Sequence, residues 1–247
     1  MEIAGVDVRV VEACPSTNSA LLEDRSSLER PIVLLAEHQT RGRGRRGRRW
    51  ASPAGHGLTF SLARAVHRPP RELPALSLVA GVAAARALRA LGVSQAALKW
   101  PNDIVVDGAK LGGILVETRA FGRAIKAVIG IGINLRGASA LEARFRRRVT
   151  ALEQFIDVES KERIAQAIVR ELLKALEAFE ARGLQAVRDE WESLHADAGK
   201  RLRVRLADGR SLSGIATGLA EDGGLRLHTR SGVHAVRSGR VLSSRPA

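Results

Sequence analysis

The residues best suited to chemistry lie in one short stretch between two predicted strands. Residues 40–52 read Thr-Arg-Gly-Arg-Gly-Arg-Arg-Gly-Arg-Arg-Trp-Ala-Ser, with six arginines, three glycines and no acidic residue. Because glycine carries no Cβ, the backbone here can bend and approach a ligand closely. Guanidinium groups donate paired hydrogen bonds to phosphate or carboxylate. The stretch therefore predicts a site for a small anion.

Two other interpretations of this stretch compete with an anion site. A solvated basic loop is the simplest, and it would be favoured if no other part of the chain indicated the same chemistry. Gly42, Gly44 and Gly47 also fit the dinucleotide-binding pattern G-x-G-x-x-G, which requires a helix directly afterwards. A proline and two glycines at positions 53–57 occupy that place instead, and both residue types disfavour a helix. We therefore favour a ligand loop of another type.

A second polar cluster follows in residues 99–103, Lys-Trp-Pro-Asn-Asp, and in residues 110–114, Lys-Leu-Gly-Gly-Ile. Between them, Asp107-Gly108 is a strong signal for a hairpin turn. Such a hairpin would bring Lys110 close to Asp103. A surface ion pair is the simple interpretation, but polar groups at strand ends within one sheet are where α/β proteins usually build sites.

Glycines and hydroxyl residues elsewhere leave two interpretations open. Gly130 and Gly132 lie two residues apart on a predicted strand, where glycine often marks the close approach of a ligand or another backbone. Tight packing against an alanine-rich helix predicted at residues 73–91 is an equal alternative. Ser16 or Thr17 can cap a short helix, which still leaves N–H groups for an anion.

Hydrophobic periodicity predicts the elements that must position these residues. Strands are expected at 6–12, 32–37, 57–63, 97–100, 104–106, 111–117 and 124–135, and further helices at 159–182 and 184–194. Residues 136–148 are expected to form a mobile basic loop. Beyond Gly199, short strands with glycine turns predict a small barrel, at 202–206, 212–219, 225–229 and 233–236. We place the domain boundary near residue 198.

Charge and cysteine content narrow the function further. The net charge is +14 over 247 residues, and the arginines of 41–49 and 144–148 supply ten charges, which leaves +4 elsewhere. Only Trp50 and Phe145 lie near those segments, too few to stack bases, so a compact anion explains the charge at least as well as a nucleic acid. No apolar run approaches the ~20 residues of a membrane span, and no secretory signal is evident. The one cysteine, Cys14, excludes an internal disulfide. A cytoplasmic protein with no membrane partner is expected.

Several motifs in register resemble biotin protein ligase over nearly the whole chain, namely Ser16–Asn18, Thr40–Ser52, Lys99–Asp103, Lys110–Ile114 and Gly130–Asn134. The resemblance implies an α+β protein. Residues 1–198 would form a class II aminoacyl-tRNA synthetase-like, lipoate ligase-like catalytic domain with a mixed sheet and helices. Residues 199–247 would form a small SH3-like β-barrel. The implied enzyme joins biotin to ATP, with Mg²⁺ on the nucleotide, to give biotinyl-5′-AMP. It then transfers biotin to a lysine of the biotin carboxyl carrier protein of acetyl-CoA carboxylase.

The resemblance also implies roles for individual residues. The catalytic residues would be Lys110, Arg45 and Asp103. Biotin would contact Ser16, Thr17, Asn18, Gln39, Arg43, Gly44, Arg45, Lys110, Gly112, Gly113, Gly130 and Gly132. ATP would contact Arg45, Arg48, Trp50, Asn102, Asp103, Lys110 and Asn134, and no metal bound by the protein alone is expected. The chemistry fits these types, because a carboxylate attacking an α-phosphate needs positive charge and positioning rather than an enzyme nucleophile. Asp103 could be a base, a contact to Mg²⁺ on the phosphates, or a support for Lys110.

Some members of that family carry an N-terminal winged helix-turn-helix and repress biotin genes. Only 15 residues precede Ser16, so we expect a monofunctional ligase without DNA as a partner, and the oligomeric state, including a homodimer, is open. The rival within the superfamily is lipoate ligation, and the rival from another class is a basic nucleic-acid-binding protein with salt-dependent affinity. Whether the arginines of 144–148 contact phosphate or solvent is also open, with solvent slightly favoured.

Overall fold

A mixed β-sheet is the centre of the fold in the computed structural model, which describes residues 1–51, 54–145, 148–158 and 160–247. Its strands are β1 (Asp7–Cys14), β2 (Ile32–Gln39), β3 (Gly57–Val66), β4 (Ala97–Lys99), β5 (Asp103–Val106), β6 (Ala109–Phe121) and β7 (Ala124–Asn134). Over the described residues, these seven strands pair in the order β1-β2-β3-β7-β6-β5-β4. β1 and β2 are parallel, and the other neighbours are antiparallel. The predicted mixed sheet is confirmed.

Helices lie on both faces of this sheet. Within the described chain they are α1 (Thr17–Glu23), α2 (Leu76–Ala90), α3 (Ala138–Phe145), α4 (Lys161–Arg182) and α5 (Arg188–Ser193). α2 and α4 pack on one face, and α1 packs on the other. α2 approaches the sheet closely, because Gly81 has no Cβ to meet Leu98 and Ile114. α4 packs on α2 through the apolar stripe that its spacing predicts. Contrary to the expectation from the sequence, residues 70–90 are long and apolar enough to cross a membrane, but 72% of their most apolar window is buried inside the protein, as in a core helix.

The C-terminal residues form a second sheet of short antiparallel strands. These strands are β8 (Arg201–Leu206), β9 (Ser211–Leu219), β10 (Leu225–Thr229), β11 (Gly232–Val236) and β12 (Gly239–Arg245). Within the described chain they pair in the order β11-β10-β9-β8-β12, which agrees with the expected SH3-like fold. Leu202, Val204, Leu225 and Leu227 fill its interior. β12 was not predicted, because residues 239–245 do not alternate between apolar and polar types.

The two sheets are held together by specific hydrogen bonds. Trp100 donates from Nε1 to the carbonyl oxygen of Gly223 at 3.2 Å. The backbone N–H of Leu219 donates to Glu192 on α5 at 2.7 Å. Asp197, between α5 and β8, accepts a hydrogen bond from Ser244 of β12 at 2.8 Å. These contacts fix β12 beside the Lys-Trp-Pro-Asn-Asp motif.

Three expectations about secondary structure need correction. The loop predicted at 136–148 contains α3, because buried Ala138 and Leu141 anchor a helical turn. The helix predicted at 184–194 is divided into a 3-10 turn and α5, since Val187 has a φ of −134°. α4 begins after its N-cap Ser160. Ser52, Pro53, Arg146, Arg147 and Glu159 lie outside the described residues, as do the side chains of Arg144 and Phe145.

Candidate active site

A cavity of about 410 Å³ opens where the N-terminus of α1, the arginine-glycine loop (residues 41–50) and strands β5, β6 and β7 meet. Fifteen described residues that the sequence singled out line this cavity. They are Ser16, Thr17, Asn18, Gln39, Arg43, Gly44, Arg45, Arg48, Trp50, Asn102, Asp103, Lys110, Gly113, Gly130 and Gly132. These fifteen residues span the chain from Ser16 to Gly132 and share one cavity.

One end of the cavity is built from uncharged polar groups around α1. Ser16 caps the helix, and its hydroxyl accepts from the backbone N–H of Ser19 at 3.4 Å. The backbone N–H and hydroxyl of Thr17 donate to Gln39 Oε1 at 2.8 and 3.2 Å. Ser61 on β3 lies with its hydroxyl 2.7 Å from Thr17 Oγ1 and 2.6 Å from Asn18 Oδ1. Because Ser16, Thr17 and Asn18 are each only 3% exposed, this network holds their side chains in place.

The glycines of β7 face this cavity rather than the alanine-rich helix α2. A Cβ at Gly130 would overlap the side-chain oxygen of Asn18, and a Cβ at Gly132 would overlap the indole of Trp50. The two glycines thus make room for two cavity-lining side chains. The expected packing against the alanine-rich helix is therefore wrong in its partner, because side chains of α1 and the arginine-glycine loop lie against these glycines. Close approach of a ligand stays a prediction.

The arginine-glycine loop folds back on itself as a short hairpin. Gly44 donates from its backbone N–H to the carbonyl of Arg48 at 2.7 Å, and Trp50 donates to the carbonyl of Gly42 at 3.0 Å. A Cβ at Gly42 would lie 2.5 Å from the carbonyl oxygen of Trp50, so this pairing requires glycine. The tip is a single 3-10 turn, Arg45–Gly47. No long helix follows the glycines within the described residues 41–51 and 54–57, which excludes the dinucleotide-binding interpretation.

The other end of the cavity is cationic. The Asp107-Gly108 turn has positive φ at both residues, 49° and 75°, as the predicted hairpin requires. It returns Lys110 to an ion pair with Asp103, and Lys110 Nζ also lies 5.9 Å from the centre of the Trp50 ring.

Arg45 approaches this end from the arginine-glycine loop. Its Nη1 donates to Asn102 Oδ1 at 3.2 Å. Burial lowers the pKa of the Arg45 guanidinium, and the charge of Arg46 lowers this pKa further. Arginine nonetheless stays charged at neutral pH. An anionic ligand would therefore offset the free-energy cost of burying the Arg45 charge.

Comparison with known proteins identifies the family. Residues 10–134 match the biotin/lipoate A/B protein ligase family, and residues 198–242 match the biotin protein ligase C-terminal domain. The chain belongs to the biotin/lipoate A/B protein ligase family. The bifunctional ligase/repressor BirA of Escherichia coli (strain K12) is 36% identical to this ligase over 228 residues, which cover 92% of this chain and 70% of BirA.

Two further relatives match over most of their length. The biotin–[acetyl-CoA-carboxylase] ligase of Mycobacterium tuberculosis is 33% identical over 96% of this chain and 88% of its own. The biotin protein ligase from Aquifex aeolicus, solved in complex with biotin and ATP, superposes with a TM-score of 0.82 and 28% identity. That superposition covers 98% of this chain and 99% of the other.

Two residues expected in the binding site of this ligase do not line the main cavity. Gly112 is buried on the other side of β6, where a Cβ would lie 2.6 Å from the carbonyl oxygen of Gly132. Asn134 donates from Nδ2 to the carbonyls of Lys110 and Thr150 at 3.2 and 3.1 Å. Gly112 thus serves strand packing, and Asn134 holds the strand that carries Lys110.

Several residues that line or support the cavity were missed by reasoning from the sequence. Ser61 gave a weak signal as a buried hydroxyl in an apolar strand. Glu117 on β6 pairs with Arg43 and accepts from Asn18 Nδ2 at 3.0 Å. Arg240 of β12 and Arg148 both line the cavity, and Arg46 donates to Ser238 at 3.0 Å. The approach of β12 had no local signal, since it depends on how the two sheets dock.

The cavity does not contain an obvious metal centre. Among the described residues, no group of three or more His, Cys, Asp and Glu side chains is placed to hold a metal ion. Among the described residues that line the cavity, Asp103 is the only acidic one. Its carboxylate pairs with Lys110. The charge of this site is therefore suited to an anion.

Proposed function

We propose that this biotin protein ligase uses the cavity to join biotin to ATP and then transfers the biotinyl group to a carrier-protein lysine. In the first step, a biotin carboxylate oxygen attacks the α-phosphorus of ATP, and the bond to the β-phosphate oxygen breaks to give biotinyl-5′-AMP and pyrophosphate. In the second step, the lysine amine attacks the acyl carbon and AMP leaves. The observation that carries this proposal is that Arg45 and Lys110 share one cavity with the polar end at α1.

The polar end of the cavity would hold the uncharged ring system of biotin. The hydroxyls of Ser16 and Thr17, the amides of Asn18 and Gln39 and the backbone of Arg43-Gly44 offer donors and acceptors there. Preformed hydrogen bonds among these groups reduce the entropy lost on binding. Gly113, Gly130 and Gly132 leave room for the ligand.

The cationic end would hold the two reacting anions. Arg45, Arg48 and Lys110 neutralise the biotin carboxylate and the α-phosphate as these approach each other, and the same groups stabilise the charge that develops in the transition state. No enzyme nucleophile is needed. Trp50 and Asn102 would contact the nucleotide, and Asn134 acts through the strand that carries Lys110. Mg²⁺ would arrive with the nucleotide and bind chiefly to its phosphate oxygens.

Asp103 is proposed to position Lys110. Its carboxylate pairs with the Lys110 ammonium, which fixes the cation beside Trp50. A role as base for the acceptor amine and a contact to Mg²⁺ are the alternatives. Separate rates of the two steps in Asp103→Asn would distinguish the base from the other two roles. A base for the acceptor amine acts only in the second step, whereas a support for Lys110 or a contact to Mg²⁺ on ATP also serves adenylate formation.

The partner of the second step would approach the open edge of the main sheet. β5 pairs with β6 only as far as Gly113, so β6 beyond that residue has no strand partner on that side within the described residues. An unpaired strand edge can bind another strand. The carrier domain, or a second copy of this chain as a homodimer, could use this edge.

We further propose residues 1–198 as the catalytic domain, residues 199–247 as the C-terminal domain, the cytoplasm as location and no DNA partner.

Biotin-dependent exchange of radiolabelled pyrophosphate into ATP tests the proposal directly. We expect exchange with biotin and none with lipoate, together with tighter binding of biotin in isothermal titration. Exchange that requires lipoate would favour the rival ligase. Salt-dependent binding of nucleic acid that persists with saturating biotin and ATP, together with no exchange, would overturn the assignment.

A further inference from the structure

Half of the net positive charge of the chain lies in the C-terminal domain. Residues 199–247 contain ten arginines and lysines and three aspartates and glutamates, a net charge of +7, which is half of the +14 of the whole chain. The +4 left outside the arginine segments 41–49 and 144–148 is therefore +7 in this domain and −3 elsewhere. The small sheet carries a basic surface of its own.

Most of that charge lies on one face of β8 and β12, which we call the arginine face. It consists of Arg201, Arg203 and Arg205 on β8 and Arg240 and Arg245 on β12, all of them exposed. In the antiparallel register Arg205 stands opposite Arg240, and Arg201 stands opposite Arg245. Within the described residues, none of the five arginines has an ion-pair partner.

This arrangement does not serve the stability of the domain. Like charges directly opposite each other on one face of a sheet are destabilising. The flanking outward residues of β9 are Ser211, Ser213 and Ile215, which offer no compensating negative charge. An acidic partner would convert this repulsion into attraction, and arginine is the residue type that binds carboxylates in pairs.

The arginine face begins at the mouth of the active-site cavity. Arg240, with its neighbours Gly239, Val241 and Leu242, lines that cavity, and Arg46 at the tip of the arginine-glycine loop reaches Ser238 just before β12. A macromolecule seated on the arginine face would therefore extend over the point where the adenylate is exposed. In the proposed reaction, the acceptor lysine must arrive at this point.

The chemistry of the face favours protein carboxylates over nucleic acid. Residues 199–247 contain no phenylalanine, tryptophan or tyrosine, so the domain has no aromatic platform for unpaired bases. It also consists of short strands, with no helix to enter a major groove within the described residues 199–247. Side-chain carboxylates need neither feature.

We propose that the arginine face binds an acidic surface of the acceptor carrier domain and guides its lysine to the adenylate. This inference rests on the proposed ligase function. Opposite charge at the rim of a contact acts mainly on the association rate and weakens with salt. The arginine face should therefore govern the KM for the carrier domain. Formation of the adenylate, which needs only small substrates, should not depend on it.

The test replaces three arginines that do not line the cavity, in the variant R201Q/R203Q/R245Q. With the unmodified carrier domain of acetyl-CoA carboxylase as acceptor, we expect its KM to rise about tenfold at low ionic strength, since three exposed charge pairs are lost. The difference should shrink as salt is added. kcat at saturating carrier domain and biotin-dependent pyrophosphate exchange should stay within about twofold of the parent.

A matched control removes the same charge elsewhere, in the variant R123Q/R170Q/R230Q. These three arginines are exposed and lie outside the arginine face. We expect this control to keep the parent's KM for the carrier domain within about twofold, because distant surface charge is screened.

The possible outcomes distinguish failure of the arginine-face proposal from failure of the proposed ligase function. An unchanged KM and an unchanged salt dependence in R201Q/R203Q/R245Q, with normal exchange, would refute the arginine face alone. Equal increases in KM in this variant and its control would also refute it, since only net charge would then matter. Loss of binding to a short DNA or RNA duplex without any change in the KM for the carrier domain would assign the face to nucleic acid instead. Absence of biotin-dependent exchange in the parent would refute the ligase function itself.

Discussion

Arg43 in the arginine-glycine loop forms an ion pair with Glu117 on β6. The other oxygen of the same carboxylate accepts a hydrogen bond from Asn18 Nδ2 at 3.0 Å. Glu117 thus joins the arginine-glycine loop, which lines the cavity, to the helix end that would hold biotin. Closing a loop over a reactive adenylate keeps water away from it, so this tie bears directly on how well the enzyme retains its intermediate.

Replacing Glu117 by glutamine should loosen the loop without changing the size of the side chain. We expect biotin and biotinyl-5′-AMP to dissociate about fivefold faster from Glu117→Gln, the effect of losing roughly 1 kcal/mol of interaction. Stopped-flow dissociation measures both rates. Glu23→Gln is the matched control, because Glu23 pairs with Arg119 away from the cavity.

A double-mutant cycle with Arg43→Ala tests whether the Arg43–Glu117 pair itself is responsible. If Arg43 acts through Glu117, adding Glu117→Gln to Arg43→Ala should increase dissociation less than the product of the two single effects. If the two substitutions increase the dissociation rate by fully multiplicative factors, the Arg43–Glu117 pair is not responsible for retention.

Lys110→Ala should abolish adenylate formation while leaving the fold intact. The Lys110 ammonium is expected to neutralise charge on the carboxylate and α-phosphate, and loss of such a group typically slows a reaction ~100-fold or more. Initial rates of biotin-dependent pyrophosphate exchange provide the measurement, with circular dichroism to confirm folding. Lys174→Ala, which removes an exposed lysine paired with Glu171, should behave like the parent. Near-normal exchange in Lys110→Ala would show that the assigned role is wrong.

Arg45→Gly should weaken retention of the adenylate. Arg45 reaches from the loop to Asn102 across the cavity, so its removal takes away both a charge and a support for the closed loop. We expect release of biotinyl-5′-AMP to accelerate about tenfold, as for loss of one charge-assisted hydrogen bond. Arg41→Gly is the control, since Arg41 is an exposed residue of the same loop. Equal retention in the Arg45→Gly variant and the parent would contradict the prediction.

Local patterns in the sequence predicted much of this site for physical reasons. The Asp107-Gly108 turn fixes the hairpin that brings Lys110 back to Asp103, and Ser16 caps α1 as its residue type predicts. These features depend on a few neighbouring residues. The Arg43–Glu117 pair spans 74 positions and has no local signature. The placement of Arg240 likewise depends on the docking of two sheets, which no motif encodes.

The two errors in the helix predictions have a related cause. Residues 136–148 are rich in arginine and suggested a mobile loop, but Ala138 and Leu141 bury enough apolar surface to hold a helix. Tertiary burial therefore overrode composition. The break near Val187 lies in the connection between α4 and α5. The apolar periodicity of the sequence continues through this connection, so it gave no sign of the break.

Gly130→Ala and Gly132→Ala should separate the two halves of the cavity. An added methyl at position 130 overlaps Asn18, whereas one at position 132 overlaps Trp50. We expect Gly130→Ala to weaken biotin binding at least tenfold, because misplacing one buried polar group costs ~1–3 kcal/mol. Gly132→Ala should chiefly raise the KM for ATP, since Trp50 is assigned to the nucleotide. Titration with biotin and steady-state kinetics in ATP measure the two effects, and identical profiles for both variants would refute this division.

His195 should make folding stability sensitive to mild acid. It is 6% exposed, neither ring nitrogen has a hydrogen-bond partner among the described residues, and burial lowers its pKa from 6.5 to about 4. The folded protein therefore holds the neutral ring, while the unfolded chain takes up a proton below pH 6.5. The contribution to the free energy of unfolding is complete above pH 6.5. It is lost progressively as the pH falls toward about 4, by about 3 kcal/mol in total.

His195→Phe keeps a ring beside Trp191, whose centre lies 4.7 Å from the centre of the His195 ring, and removes the titration. Urea denaturation at several pH values between about 4 and 7 measures the slope. We expect a flatter dependence on pH in His195→Phe, whatever the variant does to stability at neutral pH. His234→Phe, at an exposed histidine on β11, should keep the parent's slope. A slope in His195→Phe equal to that of the parent would show that another group causes the sensitivity to acid.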